Sequence, residues 1–289
     1  MGDVRCVWNA GALIGEGPIW DDVAGAVYWV DIKVRAIHRY TCATGDKASW
    51  PLPEPIGCIA RRRRGGFIVG LKSGFALLDR PDGPMKKLGS PEPNLPNNRF
   101  NDGKCDAAGR FWAGTMDDAE KSQTGSLYRL DTDRTWHRVD GSYVVTNGPA
   151  FSPDGQTIYH TDTLGRTVYA FDLAADGTLT NKRPFVRFGD GDGHPDGMTT
   201  DADGFVWIAH WGGWRVTRFT PDGAIDRILE LPVAQVTSCV FGRPDLDRLY
   251  VTSASYGLDQ EARQAQPLAG GLFEAQVGVR GLPTLLYDG

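Results

Sequence analysis

Residues 193–210 read GHPDGMTTDADGFVWIAH. The second half explains itself: Asp201-Ala202-Asp203-Gly204 is turn chemistry, and Phe205-Val206-Trp207-Ile208-Ala209 has the composition of a strand. The core of that strand, Val206-Trp207-Ile208-Ala209, has five counterparts. They are Val27-Tyr28-Trp29-Val30, Phe67-Ile68-Val69-Gly70, Phe111-Trp112-Ala113-Gly114, Ile158-Tyr159-His160-Thr161 and Leu249-Tyr250-Val251-Thr252. From Tyr28 through Ile68, Trp112, Tyr159, Trp207 and Tyr250 the steps are 40, 44, 47, 48 and 43 residues. A near-constant step of that size is the length of a four-stranded propeller blade. Six repeats predict an all-β, six-bladed β-propeller with four strands per blade, a single domain over residues 1–289. The segment around Val4–Trp8 is available to complete the last blade and close the ring, which removes exposed strand edges.

Composition agrees. The chain holds 37 Gly, 18 Pro and 9 Trp, and short apolar runs alternate with Gly, Asp, Asn and Pro clusters instead of helical periodicity. A 41% hydrophobic content suffices for a sizeable core, and a net charge of −5 argues against nucleic-acid or membrane-surface binding. Five scattered cysteines without a C-x-x-C fit neither a disulfide framework nor a thiolate zinc site, so free thiols are expected. The opening Met1-Gly2-Asp3-Val4-Arg5-Cys6 has no apolar leader core, and no apolar run reaches membrane-spanning length. A cytoplasmic protein, monomeric or weakly homo-oligomeric, is the expectation. The basic run Arg61-Arg62-Arg63-Arg64 falls in a turn between blade strands and reads as a solvated turn.

What remains in the opening stretch is Asp196. It precedes its marker, Trp207, by 11 residues; 11 to 12 residues before the other markers stand Glu16, Ile56, Asn101, Asn147 and Ser238. In a propeller the first strand of each blade lines the central channel, so equivalent positions converge around the axis. Glu16, Asn101, Asn147 and Asp196 should therefore meet at one mouth. Buried together, two carboxylates and two amides are costly without a partner, and a cation resolves the cost. All-oxygen donors suit one divalent metal ion, with Ca²⁺, Mg²⁺ or Mn²⁺ favoured and Zn²⁺ or Fe²⁺ open. Three or four protein ligands leave room for water or substrate, as at a catalytic metal. The loops after the marker strands open on the same face. They carry Asp117-Asp118-Ala119-Glu120-Lys121, Asp162-Thr163-Leu164, His210-Trp211-Gly212-Gly213-Trp214 and Tyr256, and Arg99 faces that mouth by strand alternation. None of the five histidines has ligand spacing, and there is no serine-hydrolase elbow or dinucleotide fingerprint.

Several motifs resemble the regucalcin (senescence marker protein) and gluconolactonase family of six-bladed propellers. They are Gly15-Glu16-Gly17-Pro18-Ile19-Trp20, the run Asn98-Arg99-Phe100-Asn101-Asp102-Gly103-Lys104 through Gly114-Thr115-Met116, Thr146-Asn147-Gly148-Pro149, Pro195-Asp196-Gly197-Met198 and Gly270-Gly271-Leu272-Phe273. The resemblance implies a metal held by Glu16, Asn147 and Asp196, with Arg99 and Asn101 contacting substrate. It thereby moves Asn101 from the metal to the substrate. Some members add a Glu in the third blade's loop; strict alignment puts Ala119 there, and Glu120, one residue on, is the candidate. The implied activity is hydrolysis of sugar-acid lactones such as xylono-, arabinono- or gluconolactone, with Asp196 accepting the proton of an attacking water. Two alternatives stand beside it: a non-catalytic Ca²⁺-binding propeller, and a lactonase for a phosphorylated or sulfonated sugar lactone.

Overall fold

The structure, a computed structural model, describes residues 3–289; Met1 and Gly2 of the polar opening segment lie outside the described residues. Six four-stranded antiparallel sheets follow one another along the chain as the blades of a β-propeller. Their innermost strands are Gly15–Asp21, Ile56–Arg61, Asn98–Cys105, Thr146–Phe151, His194–Thr200 and Val236–Gly242. Each touches the next around the axis, and the sixth touches the first. The ring is closed as the sequence predicts: Val4–Trp8 pairs with Leu272–Gln276 as the outer strand of blade six. All five cysteines are free thiols.

Packing explains the marker residues. The hydrophobic core is six wedges, each straddling two adjacent blades. Trp207 and Val216 of blade five pack on Cys239, Phe241 and Leu249 of blade six, and Tyr28 and Val30 of blade one pack on Ile59 and Val69 of blade two. The markers Ile68, Trp112, Trp207 and Tyr250 are completely buried and anchor the repeat. Two of them share a polar tether. Trp207 donates its indole N–H to Asp201 Oδ2 at 2.8 Å, and Trp112 does the same to Asp106 Oδ2 at 2.7 Å. Each carboxylate also accepts backbone N–H groups of its own turn, from Asp203 and Phe205 and from Ala108 and Arg110 respectively.

One irregularity repeats six times. Every innermost strand slips register against its neighbour at the same level: between Glu16 and Ile19, Ile56 and Cys58, Phe100 and Gly103, Asn147 and Ala150, Pro195 and Met198, and Val236 and Ser238. A bulge re-aims the side chains beside it, and in blades one, three, four and five it leaves Glu16, Asn101, Asn147 and Asp196 facing one cavity. Glycines make it possible. Gly148 adopts a φ of 73°, and a Cβ on Gly57 would lie 2.2 Å from the Phe100 carbonyl oxygen.

Three features were not anticipated. A short helix, Gln260–Ala265, sits in the long last loop, capped by the Asp259 side chain. The basic run is not merely solvated: Arg61 pairs with Asp21 and Asp22, Arg62 with Asp79 and Arg63 with Asp288. Finally, residues 279–289 run across the face opposite the mouth. There Gly281 bridges Asp201, Tyr287 bridges Arg62, the Thr284 hydroxyl donates to the Trp20 carbonyl at 2.9 Å and the Tyr287 hydroxyl to the Asp131 carbonyl at 2.9 Å. No helix among the described residues is long and apolar enough to cross a membrane.

Asp201 is completely buried and anchors Trp207 and Arg218, whose Nε lies 2.8 Å away. Asp201→Ala leaves the buried Trp207 indole N–H and Arg218 Nε without their acceptor and is expected to cost about 3–5 kcal/mol in chemical denaturation. A loss below about 1 kcal/mol would mean that Asp203 and Asp226 hold Arg218 without it.

Candidate active site

A cavity of about 180 Å³ opens at the channel mouth. Its lining includes Glu16, Arg99, Asn101, Glu120, Asn147 and Asp196, so all six candidate residues come together from blades one, three, four and five. The other two positions at the repeat offset do not join them: Ile56 lies in the wedge between blades one and two, and Ser238 is buried in blade six. The remaining wall is part apolar and part polar, with Ile14, Met116, Val145, Thr163, Leu164, His194, Trp211 and Tyr256.

The bulges dictate how these groups point. Glu16 is 2% exposed, and its Oε2 accepts the Gly17 N–H at 2.6 Å. Asn147 donates Nδ2 to the Thr163 hydroxyl at 2.9 Å, which turns its Oδ1 to the other side. That oxygen accepts from Asn101 Nδ2 at 3.0 Å and retains a second lone pair. Asn101 Nδ2 also donates to the Thr146 carbonyl at 2.7 Å. Arg99, 3% exposed, donates Nη1 to Asn101 Oδ1 at 2.7 Å and Nε to Asp118 Oδ1 at 2.6 Å. Burial alone would raise the Asp118 pKa, but hydrogen bonds from Lys33 and Arg99 outweigh it and hold the group at about 2. His194 donates Nδ1–H to the Thr163 carbonyl, 3.2 Å away, and is a wall residue.

Asp196 is the conspicuous group. It is 4% exposed, and its Oδ1 has no hydrogen-bond partner among the described residues. The Glu16 carboxyl faces it within hydrogen-bonding reach. A third carboxylate, which the sequence reading did not single out, lies just beneath. Asp102, 1% exposed, accepts the Gly103 N–H at 2.7 Å and the Gly148 N–H at 3.0 Å. Burial, then the charge of Asp102 at Glu16 and of Glu16 at Asp196, pushes both groups well above the ordinary carboxylate range; burial raises Asp102, against the pull of Lys104. Lys104 donates to the Met198 carbonyl and is the nearby countercharge.

Three carboxylates against one ammonium leave two negative charges, which one divalent cation neutralises. The donors fit such an ion: the free Asp196 Oδ1, the Glu16 carboxylate and the Asn147 carbonyl are hard oxygens converging from three blades. Among the described residues no three His, Cys, Asp or Glu side chains form a closed metal cluster. The set has two carboxylates and an amide and stays open on the cavity side, where a small molecule can approach.

Raised carboxylate pKa values penalise the folded state as pH climbs past the unfolded value. Without divalent cations, stability should therefore fall between about pH 4.5 and about pH 8, the value to which Glu16 is pushed. Added Ca²⁺ or Mn²⁺ should raise the melting temperature, more at pH 8 than at pH 5, because the ion competes with protons. Asp196→Ala should abolish that gain; a variant that kept it in full would remove Asp196 from the cation's shell.

Residues 14–255 match the family described as SMP-30/Gluconolactonase/LRE-like region. The chain is 36% identical over 287 residues to the 6-deoxy-6-sulfogluconolactonase of Pseudomonas putida, with 99% of each chain covered. To the L-arabinolactonase of Azospirillum brasilense it is 39% identical over 280 residues, covering 96% of this chain and 92% of that relative. The solved structure of a calcium-binding protein, regucalcin, from Agrobacterium tumefaciens matches with a TM-score of 0.95 at 32% identity, covering 99% of this chain and 97% of that one. By motif, by sequence over nearly its whole length and by the shape of its six blades, the chain belongs to the SMP-30/gluconolactonase/LRE-like family.

Proposed function

We propose that the protein is a lactonase that opens sugar-acid lactones of the xylono-, arabinono- or gluconolactone type to the open-chain aldonic acid. One divalent cation is held by Glu16, Asn147 and Asp196, and residues 1–289 act as one domain, since the site draws on four blades. The observation that carries this is the unpartnered Asp196 Oδ1, buried beside Glu16 at the floor of a cavity walled by polar groups. The relatives named for arabinolactone and sulfogluconolactone support the substrate class. The relative described as calcium-binding supports a hard ion.

Lactone hydrolysis needs an activated carbonyl, a water stripped of a proton and a fixed ring. A bound divalent cation supplies Lewis-acid polarisation of the lactone carbonyl. The chain's own residues supply the rest. Asp196, ionised beside the cation, accepts the water's proton at a carboxylate oxygen and returns it to the ring oxygen as the acyl C–O bond breaks, so that the product is the open-chain acid with a free hydroxyl. Arg99 and Asn101 are braced against each other; the free Nη2 of Arg99 donates to the carbonyl or a ring hydroxyl, and Asn101 Oδ1 keeps a lone pair that accepts from a hydroxyl. Glu120 accepts hydrogen bonds from hydroxyls at the rim, while Ile14, Met116 and Val145 exclude bulk water from one side of the ring.

The direct test is proton release from a panel of aldonolactones, with chelator-stripped protein given Ca²⁺, Mg²⁺, Mn²⁺, Zn²⁺ or Fe²⁺ in turn. Cation-dependent opening that vanishes in Asp196→Ala is expected. Asn101→Ala should lower kcat/KM by about 100-fold while the stabilisation by cation persists. Background rates with every ion and every lactone would instead leave a Ca²⁺-binding propeller without turnover.

A further inference from the structure

The mouth carries a charge pattern that the catalytic groups do not require. Arg99 is the only Arg or Lys in the cavity wall among the described residues, and two of its three guanidinium nitrogens are already engaged. Nε donates to Asp118 Oδ1 at 2.6 Å, and Nη1 donates to Asn101 Oδ1 at 2.7 Å and to the Phe100 carbonyl at 3.1 Å. The next cation outward is Lys33, whose Nζ lies 5.6 Å from the ring centre of Tyr256, itself a wall residue. Lys33 Nζ donates to the same Asp118 Oδ1, at 2.9 Å. One carboxylate oxygen thus takes up both cations that approach the cavity.

The loop that carries Asp118 is built, not loose. The Asp117 carboxylate accepts the Lys121 N–H at 3.1 Å and the Ser122 N–H at 3.0 Å, and the Asp118 N–H donates to the Asn97 carbonyl at 3.0 Å. Within this loop Glu120 holds a left-handed φ of 58°, and its side chain joins the wall with no ion-pair partner among the described residues. Asp118 and Glu120 together balance the charges of Lys33 and Arg99, so the mouth has no net positive charge to spare, and the Glu120 carboxylate has no ion-pair partner among the described residues. A sulfonate or phosphate is held by an Arg fork or an ammonium with charge to spare. Hydroxyls, by contrast, donate readily to a carboxylate.

Resting on the lactonase reading above, we propose that this mouth selects lactones with uncharged substituents, and that Asp118 is the specificity-determining residue, because it engages both Lys33 and Arg99 and cancels one of their two charges. The 36% identity to an enzyme named for a sulfonated gluconolactone then does not carry that substrate over to this chain. Asp118 touches no reacting atom. It acts through the two cations, and replacing it by Asn keeps the shape while releasing their charge toward an anionic substituent.

The experiment compares D-glucono-1,5-lactone with 6-phospho-D-glucono-1,5-lactone by initial rates of proton release at saturating divalent cation. The proteins are the full chain, Asp118→Asn, and Asp118→Asn combined with Lys33→Met. In the unmodified protein kcat/KM should favour the neutral lactone by about tenfold or more, and Asp118→Asn should shrink that ratio by about tenfold, chiefly through KM of the phosphorylated lactone and less at high salt. Adding Lys33→Met should restore much of the ratio. The proposal falls if the unmodified protein prefers the phosphorylated lactone, or if Asp118→Asn changes both substrates by the same factor. If neither lactone opens above background, the lactonase reading fails on its own, and charge selectivity is read by calorimetric titration of glucose against glucose 6-phosphate. An Asp118→Asn variant with no gain for glucose 6-phosphate over glucose then overturns the inference.

Discussion

The ring depends on one long-range pairing, that of Val4–Trp8 with Leu272–Gln276. Arg5 and Glu274 are 269 residues apart in sequence and lie 2.6 Å from each other as an ion pair across that seam. Closure of this kind concentrates a large loop-entropy cost in a single contact. It also completes the set of interfaces, because each hydrophobic wedge lies between two blades and the wedge between blades six and one crosses the seam. A blade alone has no core of its own. The six wedges thus form as a set, and the alignment of the six inner strands about the axis follows.

On that frame the recurring bulge converts a structural repeat into a chemical site. Ordinary alternation would send Asn101 and Asp102 to opposite sides of their strand. With the register slipped between Phe100 and Gly103, Asn101 reaches the cavity wall and Asp102 stays buried beneath, close enough to Glu16 and Asp196 to disfavour their ionisation. Three carboxylates and one ammonium are too negative for a buried space, and blades two and six leave it so by offering Ile56 and Ser238 at the same level. The electrostatic demand for a cation comes from geometry that all six blades share and from side chains that only some of them carry.

The sequence made part of this legible. Marker residues at steps of 40 to 48 residues, five of them aromatic, gave the number of blades, and an offset of 11 to 12 residues from them brought together Glu16, Asn101, Asn147 and Asp196. Both are periodic signals, and a repeat writes periodic signals into the chain many times over. What stayed hidden is written once. Asp102 sits beside a residue already assigned, and only the bulge reveals that both matter. Asp118 could be placed on the rim from its loop, but its bonds to Arg99 and Lys33 depend on side chains from two blades meeting at one oxygen. The pairing of Arg61, Arg62 and Arg63 with acids up to 225 residues away likewise leaves no local trace. Residues 279–289 have no strand pattern, because their contacts are isolated bridges and single side chains.

That final segment gives the propeller a bottom. Threaded under blades one, two, three, five and six, it stops the channel at the end away from the carboxylates, beside a small chamber of about 100 Å³ that includes Lys104 in its wall. The central space is therefore a cup and not a tunnel. Whatever enters must leave by the same doorway, so arrival and departure take turns, and crowding at the rim slows both together.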